Sequence, residues 1–185
     1  MIDSPHDSMA PKSKRKARIV HDEALTDPYI LAERKELIME KYKLVSQENE
    51  WGCGAACVAS LLGISYGEAK KRVERVKGAP IDEGQDKLGL RPGLELHHIV
   101  ITLRNARVKV IADWYPDLST IPVGTIACIG NKTNYKDEHY ILMTPEGWMD
   151  PWYNLDIDDM SASYRKSFPR GTKLLVALIP VNVLA

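Results

Sequence analysis

The sequence predicts an α+β protein, with helices in the first part of the folded chain and a mostly antiparallel sheet after them. Up to about residue 105 the apolar residues recur at helical spacing, and from 107 onward they fall in short runs separated by turn residues. The tight Pro145-Glu146-Gly147 turn joins two of these runs as an antiparallel pair. A chain of 185 residues, 44% of them apolar, can bury a core without staples and is not disordered as a whole.

Residues 1–18 carry Lys12, Lys14, Arg15, Lys16 and Arg18 against Asp3 and Asp7, a net of +3, so the rest of this neutral chain carries −3. Without apolar periodicity, residues 1–20 are expected to form a mobile basic tail, and residues 21–185 a single domain. Asp27 as N-cap, Pro28 at the first helical position and the stripe Ile30, Leu31, Ile38, Met39 predict a helix from Asp27 to Lys43. Residues 43–47, KLVSQ, read as extended. The small apolar run CGAACVASLL, Cys53 to Leu62, predicts a buried helix ended by Gly63. Ser65, with Glu68 completing a capping box, starts another helix that runs to about Val76. Residues 77–92 are loop-like, and Leu94 to Asn105 is a further helix. Strands are predicted at 107–114, 123–130 and 139–144, then a fourth that breaks at Pro151, and a last at 173–181.

No run of about 18 apolar residues is present, so no membrane-spanning helix is predicted. The first residues show no apolar segment of a secretory signal, and three cysteines cannot all pair, which together suggest free thiols in a reducing, cytoplasmic setting. Zero net charge argues against a nucleic-acid coat, leaving only weak contacts by the tail. The run PKSKRKAR also has the composition of a nuclear-targeting patch, which would fit delivery to a host cell or nucleus.

Cys53 is the residue placed for chemistry. The start of a helix favours thiolate over thiol, because its N–H groups are unpaired and partly positive. The flanking Gly52 and Gly54 remove bulk so that a substrate backbone can approach the sulfur, which makes Gly52 substrate-facing. Cys57, one turn deeper among apolar residues, and Cys128, in a strand, are expected to pack as small hydrophobes. A thiol nucleophile needs a base and an orienter for that base. His139 opens a strand and Asp150 follows the next turn, so the two belong to one hairpin. Counted from Glu146 they are seven residues back and four on, which requires a diagonal contact or a bulge. Gln47, six residues before Cys53, can donate a hydrogen bond to an oxyanion, and Trp51 and Trp152 can wall the cleft. Asn131 and Asn134 are weaker candidate orienters. A zinc site from Cys53, Cys57, His97 and His98 is disfavoured, because adjacent histidines rarely bind one ion together, and no cofactor motif is found.

The segment QENEWGCGAACVASLLGISY resembles the active-site start of the papain-like cysteine peptidases that remove double-glycine leaders from bacteriocins. IPVGTIACIG, EHYILMT and GWMDPWYN resemble, in order, the strand before the family's histidine, its histidine strand and its aspartate–proline segment. The resemblance spans about residues 44–155. Gly52 stands where the family usually has an acidic residue, and Tyr140 where Trp or Phe is frequent. The resemblance implies a papain-like fold and a freestanding cysteine peptidase with Cys53, His139, Asp150 and Gln47 in the catalytic roles, acting on a peptide or protein without a cofactor. The same residues would also serve a glutamine deamidase, an isopeptidase or an acyltransferase. A non-catalytic peptide-binding module is the remaining alternative.

Overall fold

The computed structural model describes residues 41–83, 91–130, 135 and 138–181. The basic tail, nearly all of the helix expected from Asp27 to Lys43, and Asn131 and Asn134 lie outside the described residues.

Three helices come first. Helix α1, Cys53–Leu62, is buried over almost its whole length because alanines and other small residues let its neighbours close on it from every side. Gly63 ends it in the left-handed conformation (φ 67°), where a Cβ would be strained. Helix α2, Tyr66–Lys77, starts at Ser65, whose hydroxyl accepts the Glu68 N–H at 3.2 Å. The Glu68 carboxylate pairs with Arg72 at 2.9 Å one turn on. Helix α3, Leu96–Asn105, begins two residues later than the sequence suggests, because Glu95 and His98 cap it reciprocally and His98 Nδ1 accepts the Glu95 N–H at 3.1 Å.

Six strands follow: β1 Val110–Asp113, β2 Ile126–Gly130, β3 His139–Thr144, β4 Gly147–Asp150, β5 Ser163–Arg165 and β6 Lys173–Pro180. They form one sheet in the order β1-β6-β2-β3-β4-β5, with every neighbouring pair antiparallel. The architecture is therefore α+β, as the sequence predicts. Strands β1 and β2 are each shorter than expected, and β5 is an edge strand that the sequence reading did not include.

The two faces of the sheet bury different groups. Cys128, Tyr140, Leu142 and Leu178 face the helices and meet Cys57, Val58 and Ile99. Ile129, Ile141 and Trp148 form a second cluster with Tyr135, extended by Phe168 at 4.9 Å from the Trp148 ring. Burying side chains of this size stabilises the fold by about 1.5–3 kcal/mol each. Among the described residues, no helix is long and apolar enough to cross a membrane.

Candidate active site

The β3–β4 hairpin sets the geometry of the site. Its register pairs Thr144 with Gly147, Met143 with Trp148 and Leu142 with Met149. Gly147 is thus the first residue of β4, not part of the turn, and the loop is only Pro145-Glu146. Gly147 has φ 115°, and a Cβ there would lie 2.7 Å from the Arg165 carbonyl oxygen, so the position needs glycine. The sequence count placed the turn centre half a residue too late. With the observed register, His139 lies two positions from the residue opposite Asp150, an even offset that keeps both side chains on one face.

A diagonal contact results. His139 Nε2 lies 2.8 Å from Asp150 Oδ1, with both residues buried. A carboxylate partner fixes the proton on Nε2. The Cys53 side chain interacts with the same ring and favours its charged form, and with Nε2 engaged by Asp150 the ring nitrogen left for it is Nδ1. The Tyr135 ring stacks on the imidazole at 4.2 Å with the planes 8° apart. Helix α1 presents Cys53 at its first position, 6% exposed, against this histidine.

Burial works against a charged His139, but hydrogen bonds to Asp150 and Cys53 outweigh it and raise the imidazole pKa to about 9. Burial alone would likewise raise the Asp150 carboxyl. Hydrogen bonds from His139, Arg165 and the Trp152 N–H hold it below the usual carboxylate range instead. Arg165 Nε donates to Asp150 Oδ2 at 2.6 Å, and the Trp152 N–H donates to Oδ1 at 3.0 Å.

Cys53 and His139 open onto a cavity of about 490 Å³. Trp51 and Trp152 stand on its wall, as expected of them, together with Leu94, Trp114 and Tyr140. Glu50, Glu95, Glu138 and Arg91 bring charge to it. Gln47 is buried; its Nε2 donates to the Asn49 carbonyl at 2.8 Å, and its backbone N–H donates to the Pro151 carbonyl at 3.2 Å. The loop before Cys53 is thereby tied to the turn that follows Asp150.

Gly52, Gly54 and Cys128 are placed differently from expectation, while Cys57 packs as expected. Gly52 is buried away from the cavity wall, and a Cβ on it would collide with the Tyr66 hydroxyl. A Cβ on Gly54 would meet Ile99 and Leu94 at 3.1 Å and Tyr140 at 3.4 Å. The space beside both glycines is thus taken by the protein's own side chains, which corrects the idea that it is left open for a substrate backbone. Cys128 is more than a packing residue: it lines the cavity and shares a hydrogen bond with Tyr140, and burial pushes its thiol up to about 12. Cys57 is fully buried, and burial raises its thiol well above the usual range. His97 is exposed, while His98 is buried and used in capping. Among the described residues, no group of three or more His, Cys, Asp or Glu could hold a metal ion.

Sequence reasoning missed Arg165 and Tyr135. Arg165 sits on a three-residue strand whose side chains are all half-buried, so no alternation marks it. Tyr135 lies in a connection, where spacing rules give no signal. No protein-family model matches the chain, and no curated protein matches it.

Proposed function

We propose that this protein is a cysteine peptidase of papain-like type that hydrolyses a peptide bond through Cys53, His139 and Asp150. The single observation that carries the reading is the division of one buried imidazole between the Cys53 thiol and the Asp150 carboxylate at the end of an open cavity. The α+β architecture supports it, with a helix N-terminus meeting the histidine strand of an antiparallel sheet.

The chemistry follows from the ring's two contacts. His139 Nδ1 takes the Cys53 proton, and Asp150 stabilises the imidazolium through Nε2–H. The thiolate lies at the start of α1, where unpaired N–H groups favour negative charge. Its attack on a peptide carbonyl forms the C–S bond and moves the carbonyl electron pair onto oxygen. The Cys53 N–H has no acceptor within the helix and can serve that oxyanion. The Gln47 amide gives one N–H to Asn49, and its second N–H is assigned to the oxyanion, although the buried Gln47 does not itself line the cavity. The imidazolium then protonates the leaving amine as the C–N bond breaks. Water, losing a proton to the same Nδ1, cleaves the thioester and restores the thiol. Trp51 and Trp152 are assigned to substrate contact.

The test compares new chain termini in a peptide mixture treated with the wild type and with Cys53→Ala. New termini in the wild-type sample alone are expected. Identical samples would overturn the peptidase reading. Glutamine deamidation with the chains left intact would replace it with a deamidase.

A further inference from the structure

We infer that Arg165 is a positioning residue of this site, acting through Asp150 to hold the orienting carboxylate in one rotamer and in its charged form. The inference rests on the reading of Cys53 as the nucleophile and deepens it, because it says what keeps that nucleophile's partners in their working state.

Position along the sheet is the first observation. Strand β4 pairs with β5 so that Asp150 faces Ser163 and Trp148 faces Arg165. Asp150 and Arg165 are therefore diagonal neighbours on one face, as His139 and Asp150 are across β3 and β4. The imidazole, carboxylate and guanidinium make one diagonal row over three strands.

The second observation is how the carboxylate is satisfied. Asp150 is 0% exposed. Oδ1 is shared by the His139 ring and the Trp152 N–H, while Arg165 Nε meets Oδ2 at 2.6 Å. A buried carboxylate without a cation tends to take up a proton. The guanidinium supplies that charge continuously, whereas the imidazole is charged only in part of the catalytic cycle.

The third observation is that Arg165 is itself held from behind. Its Nη2 donates to the Tyr153 carbonyl at 2.9 Å, and its guanidinium lies 4.1 Å over the Tyr153 ring. Arg165 is a wedge between the carboxylate and the turn after β4, not a free surface side chain. The other titratable groups near this row are Cys53 and Cys57 from α1 and Tyr135 from the connection before β3. None of these carries a positive charge, so none can substitute for the guanidinium.

The experiment uses Arg165→Met, with Arg165→Gln as a second neutral variant that keeps an N–H donor should the first not fold. Arg165→Lys restores the charge. Two properties are followed against pH: the His139 imidazole titration by NMR and the iodoacetamide alkylation rate of Cys53. In the neutral variants Asp150 gives up its charge. The His139 midpoint is then expected to fall by about one pH unit or more, and Cys53 alkylation at neutral pH to slow about tenfold. Arg165→Lys is expected to return the midpoint toward the wild-type value. A folded neutral variant whose His139 midpoint is unchanged or raised would overturn the inference. Wild-type protein whose three thiols label equally would overturn the nucleophile reading instead, and the His139 titration would still decide whether Arg165 controls the carboxylate.

Discussion

Cys53 and Cys57 stand one turn apart on the same helix, yet their surroundings share little. The first turn of α1 meets the start of strand β3 and the cavity, so Cys53 lies against an imidazole and on the cavity wall. One turn on, Cys57 is 0% exposed among apolar side chains, and burial raises its thiol well above the usual range. The same side chain is thus a candidate nucleophile in one place and a small hydrophobe in the other. Cys128 adds a third case, because it reaches the cavity but meets a tyrosine hydroxyl instead of a base. Access alone does not prepare a sulfur atom for attack; a partner that accepts its proton is also needed.

The most severe way to break this comparison is to delete each sulfur. Cys53→Ala should lower turnover of a cleaved peptide on the order of 10⁵-fold while the domain stays folded, seen as a retained cooperative melting transition. Cys57→Ala should keep turnover and cost about 1 kcal/mol of stability, seen as a lower melting temperature. Equal losses of turnover would remove the distinction between the two positions. Chemical labelling is gentler. In the native protein, iodoacetamide should alkylate Cys53 about a hundredfold faster than Cys57 or Cys128, measured by mass spectrometry of digests over time.

Gln47→Ala sharpens the comparison through the residue assigned to the oxyanion, a role proposed for Cys53 chemistry alone. It should reduce kcat about a hundredfold, roughly 3 kcal/mol of barrier, with little change in KM. The smallest effect concerns pH and stability. His139 is raised from 6.5 to about 9, so its contribution to folding is complete below 6.5 and lost as pH climbs through 9. Asp150 is lowered from 3.8, so its contribution is present above that value and lost on acidification. Melting temperature should therefore decline between pH 6.5 and 9 in the wild type and in Cys57→Ala alike. In His139→Gln that decline should flatten, and a decline of the same size there would assign it to another group.

How far the site was legible from sequence depended on the kind of signal each residue carries. The bounds of α1 could be read because a small apolar run lies between Gly52 and Gly63, and the start of α2 because Ser65 is a side-chain cap. His139 and Asp150 could be placed on one hairpin but not on one face, since that hinged on whether Gly147 belonged to the turn or to β4. Arg165 was not legible. Three half-buried residues show no period, and the arginine matters only through a neighbour two positions off on the adjacent strand. The glycines beside Cys53 were misread for a related reason: sequence shows that bulk is missing but not who fills the gap, and here Tyr66, Ile99, Leu94 and Tyr140 do so.

Strand β6 lies between β1 and β2, although some forty residues separate it in sequence from the end of β2. The hairpins β2–β3 and β3–β4 need only short closures, so the imidazole and the carboxylate can meet early, while seating β6 must bring distant segments together. Leu175 and Val176 of β6 also line the space in front of Cys53. A folding chain would therefore bring the imidazole and the carboxylate together before it closed the cavity in front of Cys53, and a partly folded molecule would hold that pair without the wall that faces it.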